Sequence, residues 1–121
     1  MTINDADDVD ALLPLPPVTF HILLALSGGE RHGYAVIQDV AARTGGAVKV
    51  SAGTLYRSIQ RMQEQGLIAE SRRRPAPDED DERRRYYALT TFGEAVARAE
   101  ARRLTQLVRL ARASGFAPGR A

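Results

Sequence analysis

The stretch Ser51-Ala52-Gly53-Thr54-Leu55-Tyr56-Arg57-Ser58-Ile59-Gln60-Arg61-Met62-Gln63-Glu64-Gln65, closed by Gly66-Leu67-Ile68, decides how the rest of the chain is read. Leu55, Ile59 and Met62 stand at i, i+4 and i+7, which at about 100° per residue makes one narrow apolar stripe. Gly53, Thr54, Arg57, Gln60, Arg61 and Glu64 fall on the opposite side. A small residue, a hydroxyl, an amide and two guanidiniums suit the approach to a DNA groove and its phosphates. Gly66 can take the left-handed conformation that ends a helix. The stretch therefore reads as a recognition helix. An ordinary amphipathic surface helix is the alternative for these residues taken alone.

The whole chain narrows the choice. Its 121 residues suit one domain, and a hydrophobic fraction of 44% is enough for a modest core. No apolar run approaches the ~20 residues needed to span a membrane, and the first residues lack a signal peptide's basic start and apolar middle. The expectation is a cytoplasmic protein without a membrane partner. The absence of cysteine removes disulfides, thiolate metal sites and thiol nucleophiles together. His21 and His32 stand apart from each other and from any carboxylate cluster, so no metal and no cofactor is expected. Enzymatic chemistry would need a nucleophile with its base, paired carboxylates in a cleft, or a phosphate loop. The acids are instead concentrated in the first ten residues and in the run 78 to 82, so no enzyme is expected.

Charge is distributed unevenly. The total is +2, but residues 1 to 30 carry a net of −5, residues 31 to 74 a net of +5, and residues 75 to 121 a net of +2. A nucleic-acid footprint is a local patch, so the middle segment matters more than the total.

Working outward, residues 1 to 13 are acidic and read as a mobile tail, held off DNA by their own charge. Pro14, Pro16 and Pro17 form a rigid lead-in to a helix from about Pro16 to Leu26, with Phe20, Leu23, Leu24 and Leu26 inward and Ser27-Gly28-Gly29 ending it. A second helix fits from His32 or Gly33 to Arg43, with Tyr34, Ile37, Val40 and Ala41 as its buried face. Thr44-Gly45-Gly46 is a turn, and Val48-Lys49-Val50 is a short strand or extended chain. After the central helix, Leu67 to Arg74 and Arg83 to Leu89 read as two antiparallel strands around a polar, Pro-broken tip. Helix, turn, helix and then a hairpin is the order of a winged helix-turn-helix. The fold class expected is mainly α with a small β-hairpin, spanning residues 14 to 90.

Residues 91 to 114 read as a separate helix, in which Thr91 caps the start and Glu94 completes a capping box. Its stripe is Phe92, Val96, Ala99, Leu107 and Leu110, flanked by Leu104 and Ala111. At 1.5 Å per residue this helix is roughly 35 Å long, more than one small domain needs for its own core. The surplus apolar length points to a partner helix, most simply from a second copy of the chain. Phe20, Val96, Ala99, Arg103, Leu104, Leu107, Leu110 and Ala111 are the expected dimer interface. Arg103 is the anomaly within the stripe. It is open to pairing with Glu100 of a second copy, to snorkelling at the seam edge, or to holding an anionic ligand. Residues 115 to 121 read as a flexible tail.

Four strings carry a family resemblance: Arg31-His32-Gly33-Tyr34-Ala35-Val36-Ile37, Gly53-Thr54-Leu55-Tyr56, Gly66-Leu67-Ile68, and Arg84-Arg85-Tyr86-Tyr87-Ala88-Leu89-Thr90-Thr91-Phe92-Gly93. In order and spacing they resemble the PadR-like transcriptional regulators over roughly residues 15 to 112. The resemblance implies a prokaryotic winged-helix repressor that binds pseudo-palindromic promoter DNA as a homodimer. The short length and single last helix resemble the family's small subgroup, whose dimers use that helix together with the N-terminal one. It also implies that Tyr34 lies near the DNA-facing surface and that the central helix enters the major groove.

On that basis the DNA-binding candidates are Tyr34, Ser51, Gly53, Thr54, Tyr56, Arg57 and Arg61, with Arg73, Arg74, Arg83 and Arg84 in the wing. Gly53 and Thr54 would sit near phosphate at the helix N-terminus, or Gly53 would serve close helix packing. Tyr56 lies between the two faces, with its hydroxyl toward phosphate or its ring in the core. The two basic triplets flanking Asp78 to Glu82 repel across a hairpin unless phosphate or the acidic tip relieves them. An effector such as a phenolic acid or a drug is implied for some relatives, but this chain has no tryptophan to stack one. The rival to the DNA-binding reading is a winged-helix adaptor acting through protein contacts, which could dispense with these arginines.

Overall fold

A computed structural model describes residues 6–71 and 85–116. In chain order the elements are α1 (Ala6–Asp10), α2 (Pro17–Ala25), β1 (Arg31–His32), α3 (Gly33–Arg43), α4 (Ala52–Glu64), β2 (Ile68–Glu70), β3 (Tyr86–Leu89) and α5 (Thr91–Ala113). It is a mainly helical winged fold with a long last helix.

Helices α2, α3 and α4 pack on one another, and α2 also packs on α5. Ile22, Leu23, Val36, Val40, Leu55, Met62, Leu67 and Val96 are the largest fully buried side chains, each contributing about 1.5–3 kcal/mol by leaving water. Helix α2 begins with proline in its first turn, where the missing N–H costs nothing. It buries Ile22, Leu23 and Ala25 and leaves Leu24 at the surface, not inward as the sequence suggests. The segment Pro17–Ala25 is apolar almost all round, so spacing alone cannot choose its inner face. In α3 the buried positions are Gly33, Val36 and Val40, with Ile37 half-buried. Tyr34 is 59% exposed, which corrects its assignment to the buried face.

The sheet has three antiparallel strands in the order β1-β3-β2, one more than the expected hairpin. Ile68 pairs with Leu89, Ala69 with Ala88 and Glu70 with Tyr87, while Arg31 and His32 pair with Tyr87 and Tyr86 on the other edge. Two residues are too few to show alternation, so β1 exists only because β3 offers it hydrogen bonds.

The expected mobile tail is also corrected for residues 6 to 13. Residues 6–10 form α1, which packs against α5 with Val9 buried and Leu12 and Leu13 half-buried beside the core. Val9, Leu12 and Leu13 stand at helical i, i+3, i+4 spacing, and burying them outweighs the acidic exposed face. The cap of α5 is Thr90 rather than Thr91: its hydroxyl accepts the Gly93 N–H at 2.9 Å. That hydroxyl also donates to the Gly66 carbonyl at 2.5 Å, a tertiary bond that selects Thr90 over its neighbour.

Candidate nucleic-acid interface

Helix α4 is held at both ends. The Ser51 hydroxyl accepts the Thr54 N–H at 3.2 Å, so Ser51 is the N-cap. At the other end Gly66 takes φ +77°, and Leu67 N–H donates to the Met62 carbonyl at 2.9 Å, closing the last turn. Leu55, Ile59 and Met62 are buried. With three anchors on one side, the opposite face is fixed toward solvent: Gly53, Arg57, Gln60, Arg61 and Glu64 are exposed, and Thr54 is half-buried.

The Arg57 guanidinium folds back along the helix. Its Nη2 lies 3.4 Å from Thr54 Oγ1, and its Nη1 lies 3.6 Å from where a Cβ on Gly53 would stand. Arg57, Gln60, Arg61, Glu64 and Gln65 together line a shallow, open depression on this face. Gln60 was not among the candidates, although its place opposite the Leu55-Ile59-Met62 stripe was legible.

Helix α3 supports α4 through one close approach. The Tyr56 ring is half-buried and lies against Gly33 at the start of α3, where a Cβ would stand 2.6 Å from the Tyr56 hydroxyl oxygen. Glycine at 33 is thus the seat for that ring, and the packing alternative for Tyr56 holds for its ring. The start of α3 is capped by His32, whose Nδ1 accepts the Ala35 N–H at 3.1 Å, and the imidazole meets Tyr86 edge-on with centroids 5.6 Å apart. Arg31 joins α2 to α3: Nε donates to the Ala25 carbonyl at 2.8 Å, and Nη2 stands 3.6 Å from Asp39, which also pairs with Arg43. A cation on the last carbonyls of α2 satisfies groups that a helix end leaves open.

The wing candidates Arg73, Arg74, Arg83 and Arg84 lie outside the described residues. The described base of the wing is tied in several places. Ser71 N–H donates to the Tyr86 carbonyl at 2.7 Å, the Ser71 hydroxyl meets the Glu30 carboxylate, and Arg85 stands 3.5 Å from Glu70.

The expected dimer residues separate into two groups. Val96 and Ala99 belong to the chain's own core and have no surface for a partner, and Phe20 is half-buried against that core. The buried first turns of α5 thus serve the chain's own core. Leu104 and Ala111 are half-buried, while Leu107, Val108 and Leu110 are exposed on the outer half of α5. Val108 extends that patch and was missed, since it falls outside the stripe. Arg103 pairs with Glu100 of its own chain, not of a second copy, with Nε and Nη2 at 2.7 and 2.9 Å from the two carboxylate oxygens. This guanidinium holds the buried Glu100 carboxyl below its usual range, against the opposing effect of burial, and the Leu15 N–H adds to the lowering.

Among the described residues no group of three or more His, Cys, Asp or Glu could hold a metal ion, and no helix is long and apolar enough to cross a membrane.

The model for the transcriptional regulator PadR-like family matches residues 22–99. No curated protein matches the chain. The structure of a transcriptional regulator from Clostridium thermocellum, Cth-833, superposes with a TM-score of 0.67 at 18% identity, over 88% of this chain and 96% of the other. A PadR family regulator from Clostridium difficile R20291 gives 0.64 at 19% identity, over 80% and 96%. PadR from Bacillus subtilis, solved in complex with operator DNA, gives 0.59 at 19% identity, over 75% of this chain and 48% of that longer chain. At these identities the likeness is one of fold.

Proposed function

This chain belongs to the PadR-like family of transcriptional regulators, and from that membership we propose that it represses a promoter by binding pseudo-palindromic operator DNA as a homodimer. The observation that carries the reading is the solvent-facing side of α4. It combines an N-capped first turn, two exposed arginines and no acid before Glu64, on a helix fixed by three buried anchors. The operator complex of the Bacillus subtilis relative supports the same use of the fold.

In this mechanism α4 lies in the major groove, and the start of the helix at Gly53 and Thr54, where the helix dipole favours an anion, sits beside phosphate. Arg57 and Arg61 supply the cations, and Tyr34 stands exposed on the neighbouring helix to contact the backbone. The wing arginines Arg73, Arg74, Arg83 and Arg84 add phosphate contacts. Two copies joined through Leu104, Leu107, Val108, Leu110 and Ala111 would present paired α4 helices to successive grooves. Bound there, the dimer excludes transcription machinery from the promoter, a cytoplasmic role.

A nuclease footprint on the DNA upstream of the protein's own gene tests this. The expected result is protection of two related half-sites, centred about 34–36 Å or a multiple apart. A single unpaired site would overturn the homodimer reading, and no protection on any tested DNA would overturn the function.

A further inference from the structure

We propose that the two arginines of α4 divide its work: Arg57 reads a guanine, and Arg61 grips phosphate. The proposal rests on the DNA-binding reading above and adds the residue that determines specificity.

Position along the helix is the first ground. Helical side chains lean toward the N-terminus, and the Arg57 fork lies over the first turn, beside Thr54 and above Gly53. The N-terminal part of a recognition helix is the part that meets base edges. Ala52 and Gly53 add almost no bulk there, so nothing at the front of α4 holds the Arg57 fork away from the groove.

Orientation is the second ground. Nη2 rests 3.4 Å from the Thr54 hydroxyl, a long contact that steers the guanidinium without tying it down. A planar fork presented in this way can exchange Thr54 for the O6 and N7 of guanine, which it matches bidentately.

Arg61 stands one turn further on, about 6 Å along the axis. It lies in the last turn of α4, at the far end of the depression that it lines with Arg57, Gln60, Glu64 and Gln65. That end of a recognition helix rises out of the groove toward the sugar-phosphate rim. A cation there meets phosphate as a point charge, and the helix dipole also favours it at the C-terminal end.

Selection from a pool of random-sequence duplexes, followed by affinity measurements on the enriched sequence, tests the division with the full chain. Arg57→Lys keeps the charge and loses the fork. It is expected to lose preference at one guanine per half-site by about 5- to 100-fold, while binding unselected duplexes as before. Arg61→Ala is expected to enrich the same sequence as the wild type, to weaken binding to every duplex alike, and to lower the salt slope by about 1 per copy. Relaxed base preference in Arg61→Ala, or an unchanged preference in Arg57→Lys, overturns the proposal. A wild-type protein that enriches no sequence overturns the DNA-binding reading itself, which is a separate outcome.

Discussion

Gly93 approaches Leu67 so closely that a Cβ on Gly93 would stand 2.0 Å from the Leu67 carbonyl oxygen. The contact is backbone on backbone, so no rotamer change can relieve it. Thr90 N–H donates to the same carbonyl at 3.1 Å, and the Thr90 hydroxyl reaches Gly66. The turn that ends α4 and the start of α5 therefore form one joint, which fixes the exposed face of α4 relative to the helix proposed to pair two copies. Gly93→Ala should lower stability by about 3 kcal/mol, the upper part of the range for overpacking. Urea unfolding measures it, and a midpoint equal to the wild type's would contradict the close approach.

The Glu100–Arg103 pair makes a pH prediction. A carboxyl held below its usual value contributes stability above that range, and loses the contribution as pH falls through its lowered folded value. For Glu100 the loss begins below the usual carboxylate value of about 4.5. The gap in thermal midpoint between wild type and Glu100→Gln should be widest near neutral pH and narrow below pH ~4.5. A gap constant from pH 7 to pH 3 would sink the idea that ionised Glu100 anchors Leu15 and Arg103.

The outer half of α5 carries the dimer prediction. Leu107 and Leu110 are 48% and 53% exposed, so glutamates there disturb little within one chain. Substitutions at such positions usually shift stability by no more than about 0.5 kcal/mol. The double variant Leu107→Glu, Leu110→Glu should sediment as a folded monomer at micromolar concentration, where the wild type sediments as a dimer. A monomeric wild type, or a double variant that stays dimeric, contradicts the seam.

Where side-chain spacing alone decides structure, the sequence was enough. Leu55, Ile59 and Met62 made α4 and its exposed face legible, and Gly66 marked its end. Reading failed where the deciding partner is distant or the pattern is degenerate. Strand β1 depends on β3, more than fifty residues later. Thr90 and Thr91 are equivalent caps until Gly66 is placed beside one of them. In α2 the near-continuous apolar run hid which of Ile22 and Leu24 turns inward. At α1 the acidic composition masked the spacing of Val9, Leu12 and Leu13. In the candidate site, the arginines of α4 were found from their face, but the seat of Tyr56 on Gly33 needed coordinates. For Arg103 the sequence leaves three readings open, and its pairing with Glu100, three residues away on its own helix, needed coordinates.

The most direct test of the central claim is a titration of the full chain against the DNA upstream of its own gene at several salt concentrations. A regulator that uses Arg57, Arg61 and the wing arginines from two copies displaces counterions on binding. Affinity should fall about a thousandfold or more between 50 and 200 mM salt, and unrelated DNA should bind far more weakly than the operator. Binding indifferent to both salt and DNA sequence would contradict the account.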